Sequence, residues 1–171
     1  MAFLKGQNTC AIKLSYALNE SGYIIPKKLA TQKRDTQAGS KDRNGTSYNY
    51  ILGSEEMGDY LKAKLGTADY KLIGVTQDNY KEFVKKIEAI EDFKGFIYMK
   101  ANDSKTFEAM GHVDLIFNKN KFFGGQEARV YGSGESLSTY LNWNSDPGIF
   151  WNTNAKLDVY IWQIKDKKAK K

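Results

Sequence analysis

Cysteine, histidine and proline are nearly missing from this chain: one, one and two among 171 residues. A single cysteine excludes an intramolecular disulfide, so the chain is not a small secreted domain stapled by bridges. One histidine and one cysteine cannot make a usual structural zinc site, and no metal is expected. No Walker or dinucleotide glycine motif is present, so no nucleotide cofactor is expected either. Gly132-Ser133-Gly134-Glu135-Ser136 lacks the glycine spacing of a nucleophile elbow. No apolar run approaches the roughly 20 residues of a membrane helix. Met1-Ala2-Phe3-Leu4-Lys5-Gly6 is too short and too mixed for a signal peptide. Any export is expected to use a route that leaves no such mark.

The residues that are present describe a globular chain. A hydrophobic fraction of 41% and an aromatic fraction of 13% suit a single domain with a real core. The net charge is +6, which favours anionic partners: nucleic acid, acidic lipid or an acidic cell-wall polymer. Part of it comes from Lys165 to Lys171, with five lysines and one aspartate, read as a flexible solvated tail at about 166–171.

Apolar spacing predicts helices early and strands late. The first helix starts at Thr9 or Cys10, with Asn8 or Thr9 as N-cap, and ends at Gly22. Ile12, Leu14, Tyr16, Ala17 and Leu18 nearly surround it, which predicts deep burial. Residues 27–49 are polar and read as a long surface loop. A second helix spans about Glu55 to Leu65, capped by Ser54 and closed by Gly66. A third spans about Asp78 to Ile90, capped near Thr76. Strands are expected at 95–100, at 110–117 and from Lys121, and 128–131 is a candidate continuation. Residues 132–154 read as irregular and 156–165 as a strand. This order predicts an α+β domain with an antiparallel sheet.

The two singletons fall where thiol chemistry needs them. Cys10 at a helix start meets unpaired backbone N–H groups and the positive end of the helix dipole, which favour a thiolate. The same Cys10 N–H is a candidate oxyanion donor, and Asn8 either adds a donor or caps the helix. His112, on a strand, would act as base toward the thiol and then as acid toward a leaving amine. Its far nitrogen needs an orienting acceptor. Asp114 is two residues on and shares its strand face, while Gln126 or Glu127 could approach from the returning segment. The bland alternative is common: a lone cysteine in an apolar helix is usually inert core, and a lone strand histidine usually just hydrogen-bonds.

The segment Asn8-Thr9-Cys10-Ala11-Ile12-Lys13-Leu14-Ser15-Tyr16-Ala17-Leu18-Asn19 resembles the nucleophile segment of the type VI secretion amidase effectors, family four. Gly111-His112-Val113-Asp114-Leu115 is similar to that family's histidine segment. Tyr60 to Gly66, Lys94 to Tyr98 and Leu157 to Ile164 also agree in order and character, so the resemblance spans roughly residues 8 to 165. It implies a papain-like fold, with N-terminal helices packed on the sheet, and one amidase domain over 1–171. It also implies a peptidoglycan amidase cleaving between γ-D-glutamate and meso-diaminopimelate of the stem peptide. Cys10 maps to the nucleophile and His112 to the base. Such an antibacterial toxin is made in the cytoplasm, delivered to a competitor's periplasm and blocked by a cognate immunity protein. Nucleic acid, membrane insertion and cofactors play no part.

Two departures stand out. Only nine residues precede the cysteine, where the family usually has a few dozen, so the N-terminus is either shortened or divergent. The family's third catalytic aspartate follows the histidine by about a hairpin, yet Lys121-Phe122-Phe123-Gly124-Gly125-Gln126-Glu127 contains none. Asp114, Gln126, Glu127 or a bare dyad remain open. A non-catalytic module binding an anionic polymer or protein is the alternative, and an acyltransferase on the same scaffold is a third reading.

Overall fold

The computed structural model describes residues 10–28, 37–41, 47–91, 93–102, 111–117, 121–123 and 157–165. In chain order its elements are α1 (Cys10–Glu20), β1 (Gln37–Lys41), β2 (Ser47–Tyr50), α2 (Ser54–Leu65), β3 (Tyr70–Leu72), α3 (Gln77–Glu88), β4 (Gly95–Ala101), β5 (Gly111–Phe117), β6 (Lys121–Phe123) and β7 (Leu157–Gln163). The main sheet is antiparallel in the order β3-β7-β4-β5-β6. Helices on an antiparallel sheet confirm the expected α+β class.

Strand alternation divides the core into two layers. One face of the sheet presents Ile97 and Met99 of β4 with Val159 and Ile161 of β7. These pack against Tyr80, Phe83, Val84 and Ile87, the buried stripe of α3. The other face presents Tyr98 and Trp162, which pack with Leu14 and Leu18 of α1 and with Met57 and Leu61 of α2. Tyr98 and Tyr160 stack at 5.9 Å between ring centroids, and the Lys62 ammonium lies 4.8 Å from the Tyr160 ring centre. Trp162 donates its indole N–H to the Gly66 carbonyl at 2.9 Å, tying the end of α2 to β7.

Local chemistry explains the helix ends. Thr76 caps α3 as expected, and Asn79 reciprocates in a capping box. The expected Ser54 cap of α2 is corrected: Ser54 is the first helical residue and Gly53 is the N-cap, without a side-chain cap bond. Serine suggests a cap because its hydroxyl commonly serves there. Here it is buried under the start of β5. Asn8 and Thr9, the expected caps of α1, lie outside the described residues.

The polar stretch 27–49 also departs from its reading as loop. It contains β1 and β2, which pair antiparallel with an irregularity between Ala38 and Lys41. Periodicity missed β1 because Gln-Ala-Gly-Ser-Lys carries little apolar alternation, and β2 because Ser-Tyr-Asn-Tyr, whose buried Tyr48 and Tyr50 do alternate, is only four residues long. β2 earns its place through hydrogen bonds to α1. The Ser15 hydroxyl accepts from the Ile51 N–H at 2.9 Å. The Asn19 amide donates to the Asn49 carbonyl at 2.8 Å and accepts from the Ile25 N–H at 2.8 Å. Ser15 and Asn19 are four apart, so they form one buried polar seam along the helix. Tyr16 is the exception to the expected burial of α1, at 38% exposed. Among the described residues no helix is long and apolar enough to cross a membrane. The segments 128–131 and 132–154 and the tail at 166–171 lie outside the described residues.

Candidate active site

Cys10 is the first residue of α1, as its sequence context predicted, and it is buried and unbridged by disulfide. Its helix packs against β5, the strand that carries His112 and Asp114. The register pairs His112 with Met99 and Asp114 with Ile97, so both side chains share one face of β5. That is the i, i+2 relation the strand period predicts. Among the described residues β6 pairs with β5 over Leu115–Phe117.

Both polar side chains are almost fully enclosed, at 3% exposed each. The Asp114 carboxylate uses its two oxygens differently. Oδ1 accepts from the Leu115 N–H at 2.7 Å, which fixes the carboxylate on its own strand. Oδ2 stands 3.7 Å from His112 Nε2, ion-pair range rather than a short hydrogen bond. The imidazole also interacts with the Cys10 thiol. One ring therefore touches both the thiol and the carboxylate.

The electrostatics follow from this arrangement. Burial disfavours the imidazolium, but the Asp114 carboxylate and the Cys10 thiol outweigh it and raise His112 to about 9. At neutral pH the ring is then cationic, which makes the contact with Asp114 a true ion pair. A positive ring beside the thiol keeps a proton ready for a leaving group.

This raised value carries a stability consequence. A group protonated more readily in the folded than in the unfolded state stabilises fully below its unfolded value, near 6.5. That stability is lost as pH rises through the folded value of about 9. The shift corresponds to on the order of 3 kcal/mol at 1.36 kcal/mol per pH unit. Urea midpoints at pH 6 and pH 10 are expected to differ more in the wild type than in His112→Gln, which removes this titration. Equal differences in the two proteins would contradict the raised value.

Gln126 and Glu127, the other candidates for orienting His112, lie outside the described residues. Among the described residues no group of three or more His, Cys, Asp and Glu side chains is placed to hold a metal ion. Sequence reasoning missed Ser54 and Gly111 as neighbours of the site. The one available signal was the glycine directly before the histidine, since a glycine inside a strand marks a close backbone approach.

Early helices, a following antiparallel sheet and a helix-start cysteine beside a strand histidine define a papain-like α+β protein. A family model described as type VI secretion system (T6SS), amidase effector protein 4 matches residues 7–162, and the chain belongs to that family. Solved structures agree in fold. The effector Tae4 from Salmonella typhimurium, in complex with the immunity Tai4 from Enterobacter cloacae, is 23% identical with a TM-score of 0.55. That match covers 93% of this chain and 76% of the other. The type VI effector Tae4 from Enterobacter cloacae is 18% identical with a TM-score of 0.54, covering 92% and 73%. The Tae4–Tai4 complex from Enterobacter cloacae gives 19% identity and a TM-score of 0.52, covering 92% and 75%. Comparison with curated proteins returns no match.

Proposed function

We propose that this amidase effector hydrolyses the γ-D-glutamyl–meso-diaminopimelate bond of peptidoglycan stem peptides, with Cys10 as nucleophile, His112 as proton carrier and Asp114 as its orienting partner. The observation that carries this reading is the shared imidazole: one buried ring contacts both the only thiol and a carboxylate, in a member of an amidase family.

The chemistry balances on these residues. The Cys10 thiolate adds to the amide carbonyl, and the resulting oxyanion is held by the Cys10 backbone N–H at the start of α1. The imidazolium of His112 gives its proton to the leaving amine as the carbon–nitrogen bond breaks. Water, deprotonated by the now neutral imidazole, then hydrolyses the thioester and restores the thiol. Asp114 stabilises the charged ring in the first half of this cycle and holds its orientation in both.

The biological setting follows from the family. The effector would be delivered to the periplasm of a competing bacterium, where its net positive charge suits an acidic wall polymer. A cognate immunity protein in the producer would cover the site, since related Tae4 effectors are solved in complex with Tai4. We assign the whole of 1–171 to one amidase domain. Neither nucleic acid nor a membrane takes part.

The test is digestion of purified muropeptides followed by mass analysis of the products. The expected outcome is a free γ-carboxyl on D-glutamate and a new amino terminus on diaminopimelate. Cleavage at any other bond would overturn the substrate assignment, and intact muropeptides would overturn the activity. Adding a free amine acceptor distinguishes hydrolysis from acyl transfer, and only the hydrolysed product is expected.

A further inference from the structure

We propose that Gly111 is a positioning residue for His112: the missing side chain lets the start of β5 close onto the Met99 carbonyl, and this approach sets where the ring stands relative to Cys10. Two independent features demand glycine there. The backbone φ is +150°, a region that side-chain-bearing L residues rarely adopt. A Cβ at this position would also lie 2.5 Å from the Met99 carbonyl oxygen, a backbone atom that cannot rotate away. The next residue along β5 is His112, and the register sets it directly opposite Met99. Any push at Gly111 is therefore delivered to the pair that carries the imidazole.

The seat is tight on its other sides as well. The same Cβ would meet the Tyr98 ring at 3.3 Å and the Ser54 hydroxyl at 3.4 Å. Tyr98 is fully buried and its opposite ring edge rests on Gly58 of α2, where a side chain would collide with it. The ring thus has glycines on both sides and no room to retreat. β5 would have to move away from β4, and His112 would move with it. Cys10 stands on α1, a different element, and would not follow. A displacement of about 1 Å between reacting groups costs on the order of 100-fold in rate.

Gly95 supplies a matched control. A Cβ there would lie 2.5 Å from the Trp162 carbonyl oxygen, the same insult in the same sheet. Yet Gly95 pairs with Ile116 and Gln163, at the far end of β4 from the Met99–His112 pair. Gly95 lacks the positive φ of Gly111, so a merely structural role predicts that in each variant any loss of activity follows its loss of stability, with the Cys10 alkylation ratio unmoved in both.

The experiment compares the wild type with these two variants by two readouts, at a temperature where urea titration shows all three folded. The activity readout rests on the function proposed above. Gly111→Ala is expected to lower kcat about 100-fold with KM within about twofold, and Gly95→Ala to change kcat less than about threefold. The second readout needs no substrate: the rate of Cys10 alkylation by iodoacetamide at pH 6 relative to pH 9. Gly111→Ala is expected to lower this ratio about tenfold, because the thiol loses its charged partner, and Gly95→Ala to leave it unchanged. Equal losses in both variants, or an unaltered alkylation ratio in Gly111→Ala, would overturn the proposal. If the wild type alkylates as expected but leaves muropeptides intact, the functional reading fails and the positioning role stands. Should Gly111→Ala not fold, native-state hydrogen exchange of the wild type decides. The β5 amides paired with β4 are expected to exchange only through global unfolding, and local opening at Gly111 would overturn the rigid seat.

Discussion

Cys10→Ala is expected to lower kcat/KM on purified muropeptides by roughly 10⁴-fold or more while the protein stays folded. The chain has no second thiol, so no neighbouring group can take over the attack. Truncation removes one buried sulfur, which costs about 1 kcal/mol of burial, small against the ~5–15 kcal/mol stability typical of a domain. The loss of activity therefore reports chemistry and not unfolding, and a urea titration beside the assay checks this. His112→Ala is expected to cost about as much. The double variant is expected to be no worse than either single one, because nucleophile and proton carrier act as a unit. Wild-type rates of product formation in Cys10→Ala would sink the thiol mechanism outright.

That coupling depends on how the fold delivers each group. The thiol arrives on α1, whose apolar side packs with Tyr98 and Trp162 and whose Ser15 and Asn19 are stitched to β2 and its flanks. The imidazole arrives on β5, from the side of the sheet that faces Met99 and Ile97. Neither element alone makes a site. The two meet where the thiol at the start of α1 interacts with the imidazole on β5.

Sequence and structure agree where the physics is local. The helices α2 and α3, the strands β4, β5 and β7 and the helix-start position of Cys10 all follow from spacing, because each buries a regular apolar stripe. The shared face of His112 and Asp114 follows from the strand period alone. Non-local causes escaped the sequence. β1 and β2 are held by pairing with each other and by side chains of α1, which no window over residues 37–50 contains. The three-residue β3 is too short for alternation to register, and it exists because its backbone pairs with β7 across nearly 90 positions of chain. The start of α2 was misplaced by one residue because a buried serine looks the same in sequence as a capping one. The contact of Cys10 with His112 lies at the limit of this kind of reading. Spacing located each residue on its element, but only tertiary packing and family membership brought the elements together.

Asp114→Asn is the substitution that decides the third member of the site. The carboxylate favours the charged ring, so its removal is expected to lower the His112 value from about 9. The sign carries directly to the rate. A rate that requires the imidazolium to protonate the leaving amine falls on the alkaline side as that proton is lost, so the alkaline limb of kcat/KM is expected near 9 in the wild type and at lower pH in the variant. Geometry adds a second penalty. Asparagine keeps an oxygen to accept from the Leu115 N–H, the shorter contact at 2.7 Å, and thereby turns its amide N–H₂ toward His112 Nε2. Two donors then face each other, which disfavours both the cation and the tautomer that presents its free nitrogen to the thiol. Together these effects are expected to cost roughly 10²- to 10⁴-fold in kcat at pH 7, with KM nearly unchanged because Asp114 is buried. Asp114→Glu is expected to recover part of the loss, since it restores the charge while lengthening the reach. An alkaline limb that stays near 9 in Asp114→Asn, with kcat within a few-fold of wild type, would instead transfer the orienting role to Gln126 or Glu127. Substituting those two residues and locating the limb again would then identify which of them holds the ring.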